Sequence, residues 1–306
     1  MPEGPEILLT TQYLLCKIKK RYIKSVKILS GKYTKKQLPG FNLLSGRLRI
    51  EDVSCKGKFM WITLVAGDDV IYLMCSFGLT GSWGFKSNDN TRLIFELDNG
   101  SKNNKTYKLY YSDQRNFGNI IVTNNLSVLE KKINSLGIDL IQSNLTEDDM
   151  INHLTREIES IKNSKRNNNI VTVLMTQDIN KGIGSGIGNY LCAEILYAAK
   201  ISPHRDITNL SHIEIKSLAV SIRKVMKDAY VNNTTDYALQ FADFVASRYE
   251  KIKSGKIPNY YPDIKLDNNK FVFKVYQQKK DPLGNPVIGE KIHADRTTWW
   301  VKRVQS

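Results

Sequence analysis

With 306 residues, 41% of them hydrophobic, the chain can bury a substantial core and is expected to form two domains. Forty-five Lys and Arg against thirty Asp and Glu leave a net charge of +15, which points to a polyanionic partner, nucleic acid first. No apolar run is long enough to span a membrane and no charged-then-apolar leader begins the chain, so a soluble intracellular protein is expected.

The N-terminus reads Met1-Pro2-Glu3-Gly4-Pro5-Glu6. Removal of Met1 would leave the secondary amine of Pro2 beside two carboxylates. A terminal amine has a pKa of roughly 7.7 to 8.0 against roughly 10.4 for lysine, so more of it is unprotonated at neutral pH. Proline is somewhat more basic than that figure, which narrows the advantage. Its attack on a sugar carbon gives an iminium ion with no N–H to lose, a lasting electron sink. Ordinary helix-start grammar explains the same residues, because Pro and Glu both favour a first turn. Ile7, Thr11, Leu14, Leu15 and Ile18 then keep a helical spacing, with Gln12 and Lys17 on the other face. Both Glu3 and Glu6 are expected at the N-terminus of this helix, where the dipole favours their charged forms.

From about Tyr22 to Thr123 the pattern turns β-rich. The clearest runs are 58–65, 70–74, 92–97 and 119–122, separated by turn signals such as Gly67-Asp68-Asp69 and Asp98-Asn99-Gly100. An antiparallel sandwich is expected. Between Lys17 and Lys36 lie nine basic residues and no acidic one, a phosphate-facing surface or a solvated face. Cys16, Cys55, Cys75 and Cys192 form no C-x-x-C pair and read as reduced core residues. His153, His204, His212 and His293 show no ligand spacing, so no metal and no cofactor are expected.

Helical patterns follow around 147–160, 170–179, 189–200 and 211–231, with a polar Asn-rich loop at 162–169. Between the second and third lies Lys181-Gly-Ile-Gly-Ser-Gly-Ile-Gly-Asn189. Such a run lets backbone approach a phosphate at a helix N-terminus, although it completes no nucleotide motif and equally suits a flexible connection. After an irregular stretch at 255–269, Phe271 to Gln277 and Thr297 to Val301 read as a terminal β-hairpin.

Three further places carry candidate side chains. Lys58 follows Gly57 at a strand mouth. Leu79 lies in Phe77-Gly-Leu-Thr-Gly81, and Arg115 and Phe117 lie in Asp113-Gln-Arg-Asn-Phe-Gly118. Alone, Lys58 reads as solvated and Leu79 and Phe117 as core.

Together these segments resemble the formamidopyrimidine-DNA glycosylase and endonuclease VIII family. The resemblance rests on the N-terminal hexapeptide, Gly57-Lys58-Phe59, the 77–81 and 113–118 segments, Gly186-Ile-Gly-Asn-Tyr-Leu-Cys-Ala-Glu-Ile-Leu-Tyr197 and Arg296-Thr-Thr-Trp-Trp300, in family order. It implies an α+β fold: an N-terminal antiparallel β-sandwich with an N-terminal helix (1–140), a helical domain with a helix-two-turns-helix motif (141–260), and a β-hairpin finger (261–306).

It also implies a bifunctional DNA glycosylase and abasic-site lyase acting by β,δ-elimination. Pro2 would be the nucleophile, Glu3 the acid/base and Glu6 a supporting carboxylate. Lys58, Asn189 and Arg296 would bind phosphates, with Lys58 also counted among the catalytic residues. Leu79, Arg115 and Phe117 would fill the gap left by an everted base. The implied partner is duplex DNA carrying oxidised bases or abasic sites, bound by a monomer wherever DNA is housed. Two departures stand out. The Gly-rich loop is a few residues longer than the family pattern, and the finger lacks the four zinc-binding cysteines. The latter resembles the zincless endonuclease VIII-like branch, with packing by Phe271, Phe273, Trp299 and Trp300 in place of metal, and implies a preference for oxidised pyrimidines and hydantoins over 8-oxoguanine.

Overall fold

The computed structural model describes residues 2–100, 106–163 and 168–306. Two compact units divide the chain: Met1–Pro2 with Glu6–Ile133, and Glu3–Pro5 with Asn134–Ser306.

In the first unit, helix α1 (Gly4–Ile18) leads into β1 (Tyr22–Ile28), β2 (Leu48–Lys56), β3 (Phe59–Ala66), β4 (Asp69–Ser76), β5 (Gly81–Gly84), β6 (Thr91–Asp98), β7 (Tyr107–Asp113) and β8 (Asn119–Thr123). All pairings are antiparallel, in the order β5-β7-β6-β1-β2-β3-β4-β8. The sandwich is one hydrogen-bonded sheet folded over. Its two halves pair through Tyr22↔Arg49 and Ile23↔Leu48, and Trp83 of β5 donates to the Cys75 sulfur of β4 at the far end of the order. Leu93, Phe95 and Leu109 of one half share a core with Leu64, Leu73 and Val122 of the other. Ile7, Leu14 and Ile18 of α1 complete it, each burial contributing about 1.5–3 kcal/mol. Cys75 is buried as expected, but Cys16 is exposed, because it falls on the outer face of α1. A short helix, α2 (Leu126–Asn134), follows.

The second unit is built on α3 (Glu147–Lys162), α4 (Ile170–Met175), α5 (Asn189–Ala199) and α6 (His212–Val231). Start signals explain the boundaries. Thr146 accepts from the Asp149 N–H, Asn169 from Val171 and Thr172, and Ser211 with Glu214 forms a capping box. The second helix is shorter than its pattern, since Thr176 leaves it in extended conformation. Part of the Asn-rich loop, 164–167, lies outside the described residues.

The finger is a hairpin, but its first strand is not 271–277. The paired strands are β9 (Ile288–His293) and β10 (Arg296–Trp300). Residues 274–276 are held differently: the buried Glu194 carboxylate accepts from the N–H groups of Lys274, Val275 and Tyr276 at 2.9–3.0 Å. With those donors satisfied by a side chain, no strand partner is needed. Trp299 packs beside Val275 and Val301, Trp300 lies edge-on to His204 at 5.1 Å, and Phe271 and Phe273 gather around Tyr190.

Candidate active site and nucleic-acid contacts

Helix α5 is apolar nearly all round and is buried accordingly, from Tyr190 to Leu196 and at Ala199. Burial leaves its first N–H groups without water, and no residue at its start supplies a side-chain cap. Glu3 takes that role. Its fully buried carboxylate accepts from Gly188 (2.7 Å), Tyr190 (2.9 Å) and Leu191 (3.2 Å). Both oxygens thus receive N–H donors at the positive end of a helix, the arrangement an ionised carboxylate uses. Glu3 directly precedes α1, where the sequence puts it, but the helix whose N-terminus holds its carboxylate is α5. Glu6 does lie in the first turn of α1, fully buried.

The Gly-rich loop is no flexible connection, for residues 182–188 are all buried. Gln177 braces it, accepting from the Gly186 N–H at 2.8 Å and donating to the Ile187 carbonyl at 2.9 Å. His153 Nε2 meets the Ile183 carbonyl at 2.6 Å, while Arg156 donates to Nδ1, which fixes the proton on Nε2. Ser185 bonds the backbone at Gly137 and Ile138. Gly188 is required by close approach: a Cβ there would stand 2.3–2.7 Å from the Glu3 carboxylate.

Asn189 and Arg296 come together through the finger. Asn189 Nδ2 donates to the Thr297 carbonyl at 3.0 Å, next to Arg296 at the head of β10. The half-buried Arg296 guanidinium makes no hydrogen bond or ion pair with the described residues, which leaves its donors for a ligand. Tyr276, which sequence reasoning missed, is their common neighbour. Burial pushes its phenol up and the Glu3 carboxylate adds to this, while Asn189 and Arg296 act in the opposite sense. The aromatic crowding of 271–276 was its only sequence signal. His293, bonded to Thr172 Oγ1, is held below its usual range by burial and by Arg296.

In the first unit, Lys58 sits in the two-residue turn between β2 and β3, where Lys56 pairs with Phe59 and Gly57 takes φ 56°. Phe59 opposes Ser76, so Lys58 lies at the same end of the sheet as the 77–81 loop. That loop and 113–118 are clasped by the buried Asp113 carboxylate, which accepts from Thr80 Oγ1 and from the Gly118 N–H. Thr80 Oγ1 in turn accepts from the Arg115 N–H at 3.0 Å. Arg92 and Lys32 pin the second loop through the carbonyls of Asp113 and Gly118. Leu79 is half-buried, Arg115 is exposed, and Phe117 is 60% exposed. Phe117 is therefore no core residue, and the loops gather all three side chains on one rigid mount.

The structure thus assembles two groups: Glu3, Asn189 and Arg296 in the second unit, and Lys58, Leu79, Arg115 and Phe117 in the first. Pro2 is buried and peptide-bonded to Glu3. Met1 lies outside the described residues. Among the described residues no cluster of His, Cys, Asp or Glu suits a metal ion, and no helix is long and apolar enough to cross a membrane.

Three family models match in order: the formamidopyrimidine-DNA glycosylase N-terminal domain at residues 1–120, its H2TH domain at 136–238 and its C-terminal domain at 262–306. A formamidopyrimidine-DNA glycosylase of Wolbachia pipientis subsp. Culex pipiens is 29% identical over 251 residues, 78% of this chain and 82% of the relative. One from Rickettsia felis is 28% identical over 235 residues, 75% and 77% respectively. The fold matches a Lactococcus lactis FPG mutant in complex with Fapy-dG-containing DNA, with TM-score 0.71, 20% identity and full coverage of both chains. It also matches MutM in complex with carbocyclic 8-oxo-G-containing DNA, with TM-score 0.72 at 20% identity and the same coverage. Three such domains in this order are the architecture of a DNA glycosylase with abasic-site lyase activity, an enzyme class of base excision repair. The chain belongs to the formamidopyrimidine-DNA glycosylase and endonuclease VIII family.

Proposed function

We propose that Pro2, freed of Met1, is the nucleophile of this glycosylase and that Glu3 moves its protons. The observation that carries the reading is the buried Glu3 carboxylate, adjacent in the chain to Pro2 and held by the N–H groups of Gly188, Tyr190 and Leu191 at the start of α5. In its ionised form Glu3 takes the proton of the Pro2 ammonium, and the protonated acid then assists opening of the sugar ring. The freed amine attacks C1′ and the C1′–base bond breaks, the base leaving with the bonding pair. Loss of a C2′ proton from the iminium then expels the 3′ phosphate, a second elimination expels the 5′ phosphate, and hydrolysis returns the amine. Glu6 supports from the first turn of α1. Lys58, Asn189 and Arg296 hold phosphates, and Leu79, Arg115 and Phe117 occupy the vacated stack, offsetting an extrusion cost of a few kcal/mol. Duplex DNA with an oxidised base or abasic site is the substrate, bound by a monomer.

Oxidised pyrimidines and hydantoins are the favoured lesions, on the ground that residues 262–306 contain no cysteine and resemble the zincless branch. A second reading, formamidopyrimidine and 8-oxoguanine excision, is favoured by what the Wolbachia and Rickettsia relatives are called. Matched purine and pyrimidine lesion duplexes, assayed for base release, decide between them.

Borohydride should trap the protein on abasic-site DNA, and peptide mapping should find the adduct on Pro2. An adduct on a lysine, or a Pro2→Gly variant that traps and cuts like wild type, would remove Pro2 from the role. Tight, salt-sensitive binding with no cleavage would instead describe a non-catalytic damaged-DNA binder.

A further inference from the structure

The sandwich unit carries a second cationic surface, at the end of its sheet away from Lys58 and the wedge loops. Register separates the two ends. Lys56↔Phe59 and Phe59↔Ser76 mark one, while Arg49↔Val65, Tyr22↔Arg49 and Tyr22↔Asp98 mark the other. The eight residues of β3 span roughly 25 Å between them at about 3.3 Å per residue.

At the far end α1 turns into β1. Lys19 and Lys20 are exposed, and Lys20 holds φ 65°, a conformation more usual for glycine after a helix. Backbone bonds from Lys20 N–H to the Ile50 carbonyl and from Ile50 N–H to the Arg21 carbonyl, both 2.8 Å, fix this turn to β2. Two arginines are then held flat on aromatic rings. Arg21 donates to the Lys17 carbonyl at 2.6 Å and stacks 4.0 Å over Tyr107; Arg47 stacks 4.2 Å over Tyr22. Each guanidinium is oriented before any ligand arrives, so little side-chain freedom is lost on binding.

Asp98, 3.3 Å from Arg47, Glu51, 2.9 Å from Arg49, and the exposed Asp68 and Asp69 at the β3–β4 turn of this same end offset much of this charge, but Lys19, Lys20, Arg21, the exposed Lys24, Arg47 and Arg49 exceed them by two. The guanidiniums each cover one face of Tyr107 and Tyr22, which takes that face from base stacking. What remains on offer is N–H donors and positive charge, which suits phosphate oxygens.

We propose that this end of the sandwich binds the phosphate backbone of a second stretch of duplex DNA, distinct from the stretch that carries the lesion. The enzyme's substrate is already a polyanion of this chemistry, so a second segment is present wherever the first is bound. Such a surface would let the protein hold one part of a DNA molecule while reading another.

The test uses the full chain saturated with a short donor-labelled duplex carrying a stable abasic-site analogue, to which an acceptor-labelled, lesion-free duplex is added. Energy transfer should report both duplexes on one protein. Affinity for the second should fall about 40-fold between 50 and 200 mM salt, as three phosphate contacts require. A Lys19→Glu/Lys20→Glu/Lys24→Glu variant should lose the second duplex and cut a short lesion duplex within two-fold of wild type. Arg47→Gln, milder for folding, should weaken the second duplex several-fold. Absence of energy transfer in wild type, or its persistence in both variants, would overturn the proposal. So would polyglutamate displacing the second duplex at lower charge concentration than unlabelled DNA, since that assigns the surface to an acidic protein. Failure to bind the first, lesion-bearing duplex is a separate outcome and counts against the proposed glycosylase function instead.

Discussion

The Gly-rich loop at 182–188 and the paired loops at 77–81 and 113–118 solve opposite problems. The first is buried throughout and presents backbone: its Gly188 N–H and those of Tyr190 and Leu191 in α5 are aimed at Glu3, and Gly188 has no side chain to keep that carboxylate out. The second pair is braced from below by a buried Asp113 and presents side chains, Phe117 above all, to solvent. A loop that works through its backbone has to be enclosed and tolerates no added atoms. One that works through exposed side chains needs a rigid base and tolerates change at its tip.

The largest expected effect breaks the enclosed loop. Gly188→Ala would force Glu3 off the α5 N-terminus, and single-turnover base release should fall by ~10²–10⁴-fold, the range for loss of a placed acid/base. An alanine variant that releases base at the wild-type rate would detach Glu3 from the chemistry.

Next is the base of the exposed pair. Asp113→Ala leaves Thr80 Oγ1 and the Gly118 N–H without their acceptor, and should cost about 2–3 kcal/mol in denaturant unfolding along with lesion-duplex affinity. At the tip, Phe117→Ala should change stability by less than about 0.5 kcal/mol, yet weaken binding to lesion duplex about tenfold, as loss of one stacking ring does. If Phe117→Ala destabilises as Asp113→Ala does, the division between base and tip is wrong.

The smallest effect is a control distant in sequence from both loops. Hydrogen bonding to Arg205, then to the Ser211 N–H, holds the Glu214 carboxyl down at about 2. A depressed folded-state pKa contributes stability above the unfolded value of roughly 4.3 and loses it as pH falls towards 2. Glu214→Gln should therefore cost about 1 kcal/mol at pH 7, an amount that shrinks between roughly pH 4.3 and 2, with base release at neutral pH unchanged.

Legibility followed the range of the forces. The helices at 147–162, 189–199 and 212–231 were readable because apolar spacing marks a helix from within. Lys58 was readable because Gly57 announces a tight turn between two strands. Phe271 to Gln277 misled for the same reason. Its apolar spacing is real, but its N–H groups are claimed by Glu194, 80 to 82 residues away in sequence, where no local pattern records the claim.

By itself the sequence determined the family and the order of its parts, since these depend on residue types at short spacing, and it nominated the side chains proposed for the chemistry. Only the tertiary structure decided that Glu3 belongs to α5, 185 residues on, that Tyr276 neighbours Asn189 and Arg296, and that Asp113 clasps two loops. Each of these follows from one physical demand: a polar group taken out of water must find a partner, and packing, not sequence distance, determines which one is near.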